Sequence, residues 1–186
     1  APSVETRYAF SEIPAHLDFA TRAYALYVLS RHDKQMVTLS QLQAMYEKEK
    51  GSAQAGLPLV HLGLALNALG DAKRGAEAIA KGLAVVRDDK LYAGDYGSGL
   101  RDEAAMLHLL LRNKVPIAQQ ASRVTQLPDA LHNRTTLSSQ ELLFTSLLGL
   151  QLQAAGGEAW QAQLVVGNQE TLLSGKGMQA QALSAE

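Results

Sequence analysis

The sequence predicts a mainly α fold, an array of about seven helices arranged as hairpins and closed by a small C-terminal β element. Three observations carry this. Alanine and leucine dominate an apolar share of 47%, while aromatics supply only 5%, a balance that suits helices packed through small and medium side chains better than a β-sandwich. Apolar residues recur at three- and four-residue steps between start and stop signals. After Gly156 and Gly157 that period gives way to a strand-like pattern.

The elements follow in order. A first helix starts near Pro14, a good first-turn residue, and runs to about Ser30, with Leu17, Ala20, Tyr24, Tyr27 and Val28 as its buried stripe. A second begins at Thr38, which with Gln41 forms a capping box, and ends before Gly51, with Leu39, Leu42, Met45 and Tyr46 inward. Pro58 opens a third, stopped at Gly70; Asp71 then caps a fourth that runs through Ala76, Ile79, Leu83 and Val86 to Arg87. This pair is the clearest αα-hairpin in the chain.

A polar loop, Asp88 to Gly97, leads to a fifth helix over Gly99 to Leu111. Pro116 opens a short sixth to about Gln126, followed by a loop from Leu127 to Leu137. Ser138 and Glu141 form a second capping box for a seventh helix ending near Ala155. Leucines on all its sides predict that this helix sits deep in the fold. Leu164 to Val166 and Thr171 to Leu173, joined at Gly167 and Asn168, read as a hairpin; Ser174 to Gly177 reads as a further turn and the last residues as a third strand. The helix starts keep no fixed period, whereas a tetratricopeptide array would recur every ~34 residues.

The length suits one domain with a real core. Lys and Arg (17) nearly cancel Asp and Glu (18), with no basic block, so neither nucleic acid nor a membrane surface is an expected partner. The absence of cysteine excludes disulfides, thiolate metal sites and a Cys nucleophile within these residues. No apolar run reaches the ~18 residues of a membrane span. A chain opening at Ala1 without Met reads as a processed chain or an excised piece.

Candidate chemistry is weak, and no cofactor or metal is expected. The five histidines stand at 16, 32, 61, 108 and 132, without the helical spacing of metal ligands. His61 and His108 lie among leucines and read as buried structural residues. Asp88 with Asp89, and Asp102 with Glu103, are the acidic pairs a toroidal glycosidase would need, but a carboxylate in a first helical turn already answers the helix dipole. Gly94, Gly97 and Gly99 lack the Lys-Ser/Thr pair of a phosphate loop, and no Ser sits in a nucleophile elbow.

Four segments are more specific. The run Arg22 to Leu29 (RAYALYVL) resembles a helix of the bacterial alpha-2-macroglobulins. Leu57 to Asp71, followed by Arg74 and Ala76, resembles that family's next hairpin. Tyr96 to Ala105 (YGSGLRDEAA) and Ser138 to Glu141 (SSQE) are similar to two of its helix starts, and the four keep the family's order over residues 22 to 155. The resemblance implies an α/α-toroid, here incomplete. It divides the chain into a helical thioester-type domain over residues 1–157, without its thioester segment, and a β hairpin over residues 158–186 leading into an adjoining β module. It further implies a periplasmic parent protein, anchored to the inner membrane by a lipid outside this segment, that traps proteases; members with a reactive site do so through a Cys-x-Glu-Gln thioester, and some bacterial members lack it. The expected partners are then other domains of the same parent chain and, through the full-length protein, attacking proteases. The segment itself is expected to be a scaffold and not an enzyme. Tyr96, Gly97, Ser98, Arg101, Asp102, Ser138, Gln140 and Glu141 are its expected structural motif, with Ser98 and Ser138 as helix caps. The alternative is a helical-repeat module that docks a peptide in a groove.

Overall fold

The computed structural model describes residues 14–88, 94–155, 159–167 and 169–176. Among them are seven α-helices: α1 (Pro14–His32), α2 (Leu39–Glu49), α3 (Gly56–Ala68), α4 (Ala72–Ala84), α5 (Gly99–Arg112), α6 (Gln120–His132) and α7 (Ser139–Ala155). A 3-10 turn, Lys34–Met36, links α1 to α2, and an antiparallel hairpin of β1 (Ala159–Val166) and β2 (Gln169–Lys176) follows α7. The mainly helical class with a small C-terminal sheet is as predicted.

The packing sorts the helices into two layers. α3 lies between α1 and α5, and α5 carries α7, so the odd-numbered helices form a continuous inner row. α2 and α4 pack on α3, and α6 packs on α5, from the other side. α3 is the centre of the fold. It holds no charged residue, and everything from Gly56 to Leu66 is buried. Two glycine pairs bring α3 and α4 into near-contact: Gly56 faces Gly82, and Gly63 faces Gly75, each pair seven residues from the other. A Cβ on Gly63 would fall 2.7 Å from the Gly75 carbonyl oxygen, and one on Gly82 would fall 2.8 Å from that of Gly56. Backbones this close leave no room for any side chain at the crossing.

α5 presents two faces to two hydrophobic clusters. Ala105, Met106 and Leu110 join the large cluster built by α1 to α4. Leu100, Ala104 and Leu107 meet Leu127 of α6 and Leu148 of α7 in a smaller one. This spacing gives α5 apolar contacts on both sides and makes it the joint of the array.

Several sequence expectations need correction. The buried face of α1 is Phe19, Ala23, Leu26 and Tyr27. Of the expected stripe, Leu17, Ala20 and Val28 are only half-buried and Tyr24 is exposed, because that face lines an open cavity, with Val28 alone of the four also packed against the core. α4 ends at Ala84 and not at Arg87; Val85 turns extended, which frees Arg87 to enter a buried ion cluster. α6 starts at Gln120, after a left-handed Gln119, and continues through Pro128 to His132 where a loop was expected. Leu127 and Leu131 pack into the smaller cluster, and that burial outweighs the hydrogen bond Pro128 cannot make. α7 is not deep: Leu142, Leu143 and Leu150 are exposed, and among its described side chains only Glu141 and Leu148 are buried. The helix lies at the end of the inner row, so only part of its circumference has neighbours. Ser174 and Gly175 belong to β2 and not to a turn. Asp89, the Gly156–Gly157 break and the expected third strand fall outside the described residues.

Candidate functional site

Asp95, immediately before the Tyr96 motif, makes an Asx turn: the Gly97 N–H donates to its Oδ1 at 3.1 Å. Its carboxylate also receives His16 Nε2 at 3.0 Å from α1, Arg87 Nη1 at 3.0 Å from beyond α4, and Arg101 Nη2 at 3.2 Å from α5. Asp102 completes the cluster, 2.9 Å from Arg87 Nη1 and 2.8 Å from Arg101 Nε. Two arginines and two aspartates thus neutralise one another in a nearly dry junction, tying three separate parts of the chain to the start of α5. Burial opposes ionisation of Asp95, but the His16 hydrogen bond, Arg87, Arg101 and the Gly97 N–H outweigh it and hold the carboxyl well below the usual range. For Asp102, burial wins over the arginines and pushes its pKa up.

Ser98 N-caps α5 by accepting the Arg101 N–H at 3.1 Å, and its hydroxyl donates to Glu141 Oε1 at 2.7 Å. Glu141 in turn takes the Ser138 N–H on Oε2 at 2.8 Å and Arg134 Nη1 on Oε1 at 2.6 Å, while Ser138 Oγ accepts the Glu141 N–H at 3.2 Å. The α7 capping box is therefore complete on both sides, and its glutamate also clasps the start of α5. Glu141 is 3% exposed; burial works against its charge, but the hydrogen bonds from Ser98 and Ser138 and the Arg134 charge lower its pKa.

Gly97 packs against the guanidiniums of Arg101 and Arg87, where a side chain would collide. Tyr96 takes a left-handed φ of 52° and is 74% exposed. Gln140 is half-buried on the cavity wall. So Ser98, Arg101, Asp102, Ser138 and Glu141 gather in two linked clusters, with Gly97 packed against the first. Sequence reasoning missed Asp95, Arg87 and His16. The Asp-x-Gly order at Asp95 was the one local signal; the other two are distant in sequence.

The cavity, about 680 Å³, is lined by α1, α3, α5 and α7 together with Gly94 and Asp95. His61 sits in its wall with Tyr27 stacked on it at 5.4 Å and Tyr24 edge-on at 5.3 Å. Burial, with the nearby Arg101 charge, pushes the His61 pKa down to about 3. Burial and Arg112 likewise lower that of His108, against a bond to the Leu147 backbone. Both imidazoles stay neutral at neutral pH. Among the described residues no cluster of potential metal ligands occurs, and no helix is long and apolar enough to cross a membrane.

Helices in an inner and an outer row, clasped by buried polar groups and framing an open cavity, define a two-row helical array. No protein-family profile matches the chain. It is similar to the alpha-2-macroglobulin of Escherichia coli, 41% identical over 147 residues, which are 78% of this chain and 9% of that protein. That of Xylella fastidiosa is 36% identical over 159 residues, 82% of this chain and 10% of that protein. Solved structures agree. Native E. coli alpha-2-macroglobulin superposes with a TM-score of 0.77 at 34% identity, over 91% of this chain and 10% of that one. The Salmonella protein reacted with methylamine gives 0.76 at 37% identity, over 91% of this chain and 11% of that one. The chain belongs to the bacterial alpha-2-macroglobulin family, and it spans about a tenth of the length of these relatives.

Proposed function

We propose that this chain is a helical scaffold within a larger protease-trapping inhibitor and contributes no reacting atom of its own. The observation that carries the reading is the Ser98–Glu141–Ser138 clasp: the hydroxyls and carboxylate of the motif are engaged in fastening α5 to α7. A reacting group, by contrast, would keep an open position toward a substrate. The sequence supports it too, since a thioester needs a cysteine and none is present. Residues 1–157 would form the helical unit, and the hairpin within 158–186 would lead into a neighbouring β module. A two-stranded hairpin is marginal alone, and β1 and β2 leave Val165, Val166 and Leu172 exposed for such a neighbour. The full-length protein would act in the periplasm, held at the inner membrane by a lipid elsewhere, with attacking proteases as its targets.

Methylamine, which reacts with the Salmonella relative, tests the chemical half of this reading. Incubated with methylamine, the chain should keep its 20.0 kDa mass in intact mass spectrometry. A covalent adduct at a specific residue would overturn it. The open cavity favours a second reading, a peptide-docking helical module; specific capture of free peptides by the isolated chain would support that one instead.

A further inference from the structure

The outer-row helix α6 is built unlike its neighbours. Its N-cap, Gln119, is left-handed at φ 56° and offers no side-chain acceptor to the first turn, whereas Thr38, Asp71, Ser98 and Ser138 each cap theirs. Pro128, inside the helix, cannot donate to the carbonyl one turn back. Of its 13 residues only Leu127 is buried; Arg123, Val124 and Leu131 are half-buried and the rest are exposed. A helix this short does not hold itself together in water, so docking decides whether it forms.

That docking rests on few groups. Arg123 Nη1 meets both Glu103 oxygens, at 2.8 and 3.0 Å, and its Nη2 donates to the Leu83 carbonyl at 2.7 Å. The carbonyl lies in the last turn of α4, where helical donors run out, so one side chain ties α6 to both α4 and α5. Leu127 adds an apolar contact in the smaller hydrophobic cluster, with Val124 and Leu131 at its edge. The flanks are tied down independently. Val115 and Ile117 pack on the large cluster before α6, and Arg134 binds the buried Glu141 at 2.6 Å after it. In the link from α5, Lys114 and Gln119 both hold left-handed backbone without being glycine, which strains that connection. The helix is anchored at both ends and lightly held between them.

We propose that α6 is a releasable strap: it undocks as one unit, giving up Glu103 and the Leu83 carbonyl together, while the other six helices stay folded. Release takes Leu127 out of the smaller cluster and frees one side of α5. The α5–α7 half of the array can then change shape, while α3 and α4 remain locked by their glycine pairs. Openings of contiguous segments below the free energy of global unfolding are a general property of folded chains; the capping, the proline and the Arg123 clasp point to α6 as the segment that opens here.

Hydrogen exchange of the chain in rising urea, read by peptide mass spectrometry, tests this. The α6 amides should converge on a single opening whose urea dependence is well below that of global unfolding, which the α3 amides report. In the absence of urea they should exchange on the order of 100-fold faster than those of α3. Arg123→Gln should speed α6 exchange by about tenfold and leave α3 unchanged. Pro128→Ala, at an exposed position, restores the missing donor and should slow α6 exchange by about tenfold or more. Exchange of α6 together with α3 at the global transition would overturn the proposal. So would amide-by-amide exchange without urea dependence, which is fraying and not release of a unit. Indifference of α6 to both substitutions would equally overturn it, since the clasp and the proline would then not set the opening.

Discussion

Replacing His61 with Gln should flatten the acid side of the stability profile. His61 is held neutral between Tyr24 and Tyr27, with its pKa pushed from an ordinary 6.5 to about 3, first by burial and then by Arg101. The unfolded chain therefore takes up this proton before the folded chain does. The stability tied to the neutral imidazole is complete above the unfolded value of 6.5 and is lost as pH falls from there toward 3. Each pH unit inside that window costs about 1.4 kcal/mol, so moving from about pH 7.5 to about pH 5 should cost about 2 kcal/mol through this one group. Urea unfolding followed by far-UV circular dichroism at the two pH values measures it in both proteins. His61→Gln should lose about 2 kcal/mol less than the parent sequence between them, although its absolute stability will be lower for want of the ring stack. His108, shifted in the same direction, is present in both and cancels. Equal losses in the two proteins would mean that His61 protonates freely in the folded state and that the cavity wall is wet.

Other predictions follow from packing and capping. Gly63→Ala should cost about 1–3 kcal/mol by thermal or urea unfolding, since its methyl meets the Gly75 carbonyl; Gly149→Ala, on an α7 face with nothing within 4 Å, should instead stabilise by about 0.5–1 kcal/mol. Ser138→Ala should cost about 0.5–2 kcal/mol through the lost cap, while His132→Asn, at an exposed helix end, should stay within about 0.5 kcal/mol. Leu148→Ala should cost about 2–5 kcal/mol and Leu150→Ala, on the same helix, under about 0.5 kcal/mol. A large loss at Leu150 would place it in a core that the structure does not show.

The sequence made element type and order plain because caps and apolar periods are local. Thr38, Asp71, Ser98 and Ser138 each accept an N–H three residues on, and each helix they start was readable from them. What periodicity cannot tell is which apolar stripe meets a core. Leu17, Ala20 and Tyr24 repeat as regularly as Phe19, Ala23 and Leu26, yet the former set lines a cavity. The leucines of α7 suggested all-round burial for the same reason, while α3, which is buried along most of its length, drew no such expectation. The expected end of the sixth helix at Gln126 fell short because packing at Leu127 and Leu131 carries α6 on through Pro128. The ion cluster was half legible: Arg101 and Asp102 adjoin a glycine-rich loop, but His16 and Arg87 join them only through the tertiary fold. The glycine pairs of α3 and α4 needed both helices in register before their spacing had meaning.

The account stands on the claim that the Ser98–Glu141 clasp supports structure and takes no part in bond formation. Ser98→Ala combined with Glu141→Gln, placed in the longer parent protein, tests this when unfolding temperature and covalent methylamine uptake are measured side by side. The account predicts a lower unfolding temperature, by several degrees for a loss of roughly 1–3 kcal/mol, with the rate and extent of methylamine uptake by the folded protein unchanged. An unchanged unfolding temperature together with abolished uptake would contradict it, because those side chains would then belong to the chemistry and not to the frame.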